Sequence, residues 1–308
     1  STDTRNNSTI VAGIDIGSNS IRLLISSVKD YKIENIIYQE KATARLASNI
    51  NKTGRLDVSR IDAAIEALKS FKKAIDKYKV DKVKAVATSA IREAENGGDF
   101  IQKALEAGIK VDIISGIEEG IMEYNGVKAG LEIDDSVLIT DVGGGSTEII
   151  RLNDDKTIHA ESYKIGVVKT ADMFDFKNNA VKSIELCKDY VKNFFSPQNI
   201  IKNPNMFIAT AGTATTLAAI DMDMTRYDWT KINGYKMNID KIENIMLRIA
   251  NTDYDKRILI NGMDKGREDL ILPGIIIILE IMRKADVKIM TVSDFGLREG
   301  VVVTAAYS

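Results

Sequence analysis

The stretch Leu138–Ile150, LITDVGGGSTEII, decides the fold. An apolar run, a Gly-rich turn and a second apolar run read as strand, tight loop and strand. Asp141 stands where the loop begins. Gly143, Gly144 and Gly145 lack a Cβ, so the backbone there is free to take positive φ and to turn consecutive N–H groups toward an anion. Ser146 and Thr147 add hydroxyl donors, and Asp141 and Glu148 add carboxylates able to hold a divalent cation against phosphate oxygens. Standing alone, the run reads equally well as a hairpin without a ligand.

Its repetition breaks that tie. Asp15-Ile16-Gly17-Ser18-Asn19-Ser20 followed by Ile21-Arg22-Leu23-Leu24 matches Asp141-Val142-Gly143-Gly144-Gly145-Ser146 followed by Thr147-Glu148-Ile149-Ile150. Both copies follow an apolar run, Ile10 to Ile14 and Val137 to Thr140. A repeated strand-loop-strand unit implies two similar lobes, each offering one phosphate loop to a shared cleft.

The 308 residues suffice for two domains with full cores, and 44 % apolar with 28 % charged residues is ordinary for a soluble globular chain. A formal charge of −2 disfavours nucleic acid as a partner, so an anionic substrate must be drawn by local basic groups. The single cysteine, Cys187, reads as a buried core thiol and fits a reducing cytoplasm. The single histidine, His159, reads as a strand-edge residue, which makes a Ser-His-Asp triad or a His-rich metal site improbable. Ser1 to Ser8 lacks the apolar core of a signal peptide, and the longest apolar run, Ile271 to Leu279, is too short to span a bilayer, so no membrane association is expected.

Along the chain, Val58, Ile61, Ile65, Leu68, Phe71, Ile75 and Tyr78 recur at helical spacing behind Asp57 as N-cap. A strand Val83 to Ala87 runs into Thr88-Ser89, and such strand ends are where α/β sheets place ligands, which nominates Thr88, Ser89 and Arg92. Ser115-Gly116-Ile117-Glu118-Glu119-Gly120 leads into a helix from Ile121 to Ala129. Adjacent carboxylates there also suit the positive end of a helix dipole. Gly166-Val167-Val168 reads as a turn, Ala180 to Phe195 as a helix, and Tyr227 to Met237 as an exposed loop and strand. Thr210-Ala211-Gly212-Thr213, opening a helix, is a third possible anion site. A helix Ile271 to Arg283, a strand Val287 to Val292 and a closing helix through Val301 to Ala306 complete the chain.

Together these stretches resemble the exopolyphosphatase and guanosine pentaphosphate phosphatase family of the actin-like ATPase superfamily. The match is carried by Gly13 to Leu23, Ala87 to Gly97, Ile114 to Gly120, Asp141 to Glu148, Ala211 to Leu217 and Ser293 to Gly300. The resemblance implies an α/β protein of two actin-like, ribonuclease H-like lobes with an interlobe active-site cleft. Lobe I would span 1–130, with the closing helix 297–308 packed back on it, and lobe II 131–296. It implies Glu119 as the base that activates water. Asp141 and Glu148 would be associated with Mg²⁺, and phosphate would be bound by Gly17, Ser18, Asn19, Ser20, Arg22, Arg92, Gly143, Gly144, Gly145, Ser146, Thr147, Gly212 and Thr213. Arg45 and Arg267 are further basic candidates. Ile121 replaces an arginine common in the family, and the chain resembles the short subclass that stops at the closing signature.

The expected activity is Mg²⁺-dependent removal of terminal phosphate from inorganic polyphosphate, with guanosine pentaphosphate (pppGpp) as a second substrate, by a cytoplasmic homodimer. Two alternatives share the repeated loops: a sensor that binds polyphosphate or alarmone without turnover, and an ATP-dependent kinase. No adenine-stacking signature stands near Gly212.

Overall fold

The computed structural model describes residues 8–308. The polar stretch Ser1 to Ser8 lies outside the described residues apart from Ser8. A first sheet contains β1 (Thr9–Ile16), β2 (Ile21–Lys29), β3 (Lys32–Ala42), β4 (Lys82–Ala87) and β5 (Val111–Ile113) in the order β3-β2-β1-β4-β5. A second contains β6 (Val137–Val142), β7 (Thr147–Leu152), β8 (Ile158–Tyr163), β9 (Met206–Thr210), β10 (Lys236–Asn238) and β11 (Ile289–Val292) in the order β10-β11-β9-β6-β7-β8. Strand β1 pairs antiparallel with β2 and parallel with β4, and β6 repeats this with β7 and β9. The internal sequence repeat is thus a repeat of topology.

The central strands are apolar on both faces because both faces are covered. Ile14, Ile16, Leu23 and Ile25 pack with Ile61, Leu68 and Phe71 of the helix Val58–Lys77. The alternate residues Val11, Leu24 and Val28 pack with Val302 and Ala305 of the closing helix Leu297–Ala306. Period-two alternation therefore serves two helical layers at once. Val58 is exposed, and Asp57, although at the N-cap position, makes no capping hydrogen bond; it accepts from Asn49 Nδ2 at 3.1 Å instead. Cys187 is buried, and its thiol pKa is pushed up to about 12 by burial. His159 lies on β8, an edge strand.

Several boundaries differ from the sequence pattern, each for a local reason. The helix Gly116–Lys128 begins before Ile121 because Ser115 and Glu118 form a capping box, with Glu118 N–H donating to Ser115 Oγ at 3.1 Å and Ser115 N–H to Glu118 Oε1 at 3.2 Å. Glu119 consequently sits in the first helical turn. The closing helix likewise begins at Leu297, where Gly296 N–H donates to Glu299 Oε2 at 2.8 Å. Val167–Met173 is a helix where a turn was expected, because the N–H groups of Val167 and Val168 bond to the carbonyls of Gly143 and Gly144 at 2.8 and 2.9 Å. The helix expected to reach Phe195 ends at Lys192, and the segment from Tyr227 to Met237 holds the short helix Trp229–Ile232 before β10. Among the described residues no helix is long and apolar enough to cross a membrane.

The helices Gly116–Lys128 and Leu297–Ala306 cross in backbone contact. A Cβ on Gly126 would lie 1.9 Å from the Gly296 carbonyl oxygen, and one on Gly300 would lie 1.8 Å from that of Met122. Neither neighbour is a flexible side-chain end, so the helices must separate to admit a methyl group. Gly126→Ala and Gly300→Ala should each destabilise the protein by about 1–3 kcal/mol, as overpacking does. Gly98→Ala, in a helix and with nothing within 4 Å, should stabilise it by about 0.5–1 kcal/mol. Urea unfolding midpoints check both signs.

Candidate active site

The two glycine loops are closed identically: Gly17 N–H donates to Ser20 O at 3.0 Å, and Gly143 N–H to Ser146 O at 3.0 Å. None of Gly17, Gly143, Gly144 or Gly145 takes positive φ, contrary to the expectation from their sequence. A Cβ on Gly17 or Gly143 would crowd the Ser20 or Ser146 carbonyl of its own loop, at 3.0 and 3.1 Å, and Gly144 and Gly145 are glycines because the loops touch. A Cβ on Gly144 would lie 2.9 Å from Asn19 N, and one on Gly145 would lie 2.4 Å from Ser89 Oγ and 2.5 Å from Ser18 Oγ. Ser18 Oγ and Ser89 Oγ are themselves 2.8 Å apart. The lobes thus meet loop to loop at the floor of a cleft of about 710 Å³.

That cleft is lined by Gly17, Ser18, Asn19, Ser20, Arg22, Thr88, Ser89, Glu119, Asp141, Gly143, Gly144, Gly145, Ser146, Gly212 and Arg267. Other candidates stand elsewhere. Thr147 Oγ1 donates to Ile165 O at 2.8 Å within the core, and Thr213 is fully buried against Gly274, so neither hydroxyl points to the cleft. Arg45 spends its guanidinium on Asp269, at 2.8 Å to each oxygen, and on Gly266 O at 2.6 Å. Arg92 lies behind the cleft, donating to Ile114 O at 2.6 Å and standing 3.6 Å from Glu119 Oε2. Lys41, Lys265 and Tyr227 line the cleft although no motif singled them out, as does Arg298 of the closing signature, which was not named as a site residue.

Equivalent positions of the repeat carry opposite charges. Across β1 and β2, Asp15 faces Arg22, and their ion pair is 2.6 Å long. Burial opposes the Arg22 charge, but Asp15 and Glu299 outweigh it and hold its pKa above the ordinary value. Across β6 and β7, Asp141 faces Glu148 instead. Beneath them Glu119 and Glu123 project from one face of the helix Gly116–Lys128, four residues apart. One carboxylate oxygen from each of Glu119, Glu123 and Asp141 lies within 4.8 Å of the others.

All four carboxyls of this centre have raised pKa values. Burial is the largest cause for each; Glu148 adds to it for Glu119, and Asp141 adds to it for Glu123 and Glu148. Glu148 rises to about 8. It accepts from Ser146 Oγ at 3.0 Å and Ser162 Oγ at 3.4 Å, whereas Glu119 Oε2, Asp141 Oδ1 and both Glu123 oxygens are buried without a donor. Hard oxygen ligands lacking hydrogen-bond donors suit a divalent cation. Glu123 was not singled out from sequence; its spacing from Glu119 was the available signal.

Basic groups line the same cleft. Arg267 is 7 % exposed, and its guanidinium lies against Gly212, where a Cβ would come within 2.1 Å of Cζ. Burial lowers the pKa of both Arg267 and Lys41, and Asp264 partly restores them. Ala211, also lining it, holds φ 74 and ψ −176, a conformation that costs a non-glycine residue on the order of 1–3 kcal/mol. Lys41 also pairs with Asp264 at 3.1 Å, and Lys169 pairs with Glu93 at 2.6 Å.

Two glycine-serine loops, one from each lobe of an α/β protein, abut over a buried cluster of carboxylates. A family model, the Ppx/GppA phosphatase family, matches residues 24–308, and the chain belongs to that family. It is 34 % identical over 296 residues to a bifunctional 3-dehydroquinate synthase/phosphatase of Fusobacterium nucleatum, covering 91 % of this chain but 44 % of that protein. The chain thus spans under half of that relative's length. It is 27 % identical to exopolyphosphatase 2 of Mycobacterium tuberculosis, covering 97 % of this chain and 99 % of the relative. Among solved structures, the Ppx/GppA family member of Aquifex aeolicus superposes with TM-score 0.82 at 33 % identity, covering 97 % of each chain. An exopolyphosphatase from Cytophaga hutchinsonii gives 0.86 at 26 % identity, covering 97 % of this chain and 98 % of that one. The fold is therefore the actin-like α/β fold of that family.

A folded-state pKa raised from 4.5 to about 8 at Glu148 means that the native state holds a proton there which the unfolded chain has released. Stability must then fall as pH rises between those values. Chelator-treated protein should show a melting temperature that declines from pH 5 to pH 8, and a divalent cation should recover most at the alkaline end. Scanning calorimetry with and without the cation checks the slope.

Proposed function

We propose that this chain is an exopolyphosphatase, removing the terminal phosphate of inorganic polyphosphate by Mg²⁺-dependent hydrolysis, with guanosine pentaphosphate as a second substrate. The observation that supports this best is the placement of Glu119: a buried carboxylate lining the cleft between two phosphate loops, faced by Arg92 at 3.6 Å. Relatives named exopolyphosphatase over nearly their whole length support the same reading. In it, lobe I comprises 1–130 with 297–308, and lobe II comprises 131–296.

The terminal phosphate is bound by N–H groups of Ser18 to Ser20 and Gly144 to Ser146 and by the Ser18 and Ser20 hydroxyls, the Gly17 and Gly143 N–H groups being used to close the loops, with Arg22 and Arg267 on its oxygens. Glu119 takes a proton from water as the water oxygen bonds to the terminal phosphorus and the bridging P–O bond breaks, leaving a chain one phosphate shorter. Burial, with Glu148 beside it, raises the proton affinity of Glu119, the direction a general base needs. Asp141 and Glu148 would hold Mg²⁺, which when bound supplies positive charge to the phosphoryl and leaving oxygens. The Arg92 charge opposes part of that rise at Glu119. The resemblance and the lone buried thiol support action in the cytoplasm, and the resemblance alone supports a homodimer.

Phosphate release from polyphosphate, guanosine pentaphosphate and ATP with Mg²⁺ tests the reading. Glu119→Gln should lower kcat by about 10²–10⁴-fold with little change in KM. Wild-type protein that binds polyphosphate but releases no phosphate would leave only a binding protein. Gly212→Ala must displace the Arg267 guanidinium, so KM for polyphosphate should rise about tenfold, the loss of one charge-assisted hydrogen bond of roughly 1.5 kcal/mol, with kcat changing less.

A further inference from the structure

Glu123 has no role in the reaction just described, yet both its carboxylate oxygens are buried without a hydrogen-bond partner. It is 0 % exposed and does not line the cleft. Three other buried carboxylates are served: Asp15 by Arg22 at 2.6 Å, Glu148 by Ser146 Oγ at 3.0 Å, and Glu299 by Arg298 Nη2 at 2.9 Å and Gly296 N–H at 2.8 Å. Neither oxygen of Glu123 has a donor, and the Asp141 Oδ1 and Glu119 Oε2 atoms buried with it have none either. Burying a carboxylate without a partner is costly enough that such positions are otherwise avoided. Oxygen atoms of three carboxylates within 4.8 Å of one another supply the hard ligands that a divalent cation takes. We infer that Glu123 is a ligand, alongside Asp141, of the divalent cation at this site. Asp141, which lines the cleft, is then shared between phosphate on one side and Glu123 on the other. This rests on the reading that the site takes such a cation, and adds to it a ligand from the same helix face as Glu119.

The test is uptake of Mn²⁺ by the full chain after chelation, followed by loss of the free-ion electron paramagnetic resonance signal. Glu123→Gln keeps the shape and removes the charge; its Mn²⁺ affinity should fall by at least the roughly tenfold that loss of even an outer-shell partner costs. Its metal-free melting temperature should be no lower than wild type, and Mn²⁺ should raise it less. A purely structural role predicts the reverse, a lower melting temperature with unchanged Mn²⁺ affinity. Should Glu123→Gln fail to fold, Glu123→Asp, which keeps the charge on a shorter arm, decides: weakened uptake supports the assignment and wild-type uptake overturns it. If wild-type protein binds Mn²⁺ and Glu123→Gln binds it equally, the role of Glu123 falls while the cation site stands. If wild-type protein takes up none, both fall.

Discussion

Like charges gathered away from water are the constraint on which this structure depends. Asp141, Glu148, Glu119 and Glu123 converge from two strands and one helix; burial raises the proton affinity of each, and repulsion within the group adds to it at Glu119, Glu123 and Glu148. Such a centre is stable only with protons or a cation in it. Its neighbours follow from that need. Arg92 stands behind Glu119, Ser146 and Ser162 hold Glu148, and Gly120 keeps the helix close to the sheet, since a Cβ there would lie 2.5 Å from that of Ala160.

The duplicated unit shows how one backbone serves two tasks. The turn closure, strand pairing and neighbouring parallel strand are the same in both copies. What differs is the residue opposite the loop aspartate. Arginine at 22 neutralises Asp15 within its own hairpin, whereas glutamate at 148 leaves Asp141 in want of a positive partner. One lobe thus brings its own counter-charge and the other leaves room for one from outside.

Much of this was legible in the sequence because it is local. The repeat of Asp, apolar, Gly, small, any, Ser is a pattern of neighbours, and it gave two sheets and a cleft. The helix Val58–Lys77 was legible because its buried face recurs at helical spacing. What escaped depends on residues distant in sequence. The early start of the helix Gly116–Lys128 rests on a capping box read as loop, and without that start Glu119 and Glu123 do not share a face. The glycines of the second loop read as a demand for positive φ, but at Gly144 and Gly145 the demand comes from Ser18, Asn19 and Ser89, more than fifty residues away in a chain of 308. Arg45 read as a phosphate ligand because nothing nearby shows that Asp269 occupies it.

The ion pairs between the walls have a mechanical consequence. Lys169–Glu93 is largely buried, with side chains 8 % and 22 % exposed, whereas Lys41–Asp264 stands at 41 % and 42 %. Dissolved salt screens the second far more than the first. Rising ionic strength therefore weakens Lys41–Asp264 first and leaves Lys169–Glu93 and the bidentate Arg45–Asp269 pair, at 25 % and 16 % exposure, holding the two halves together.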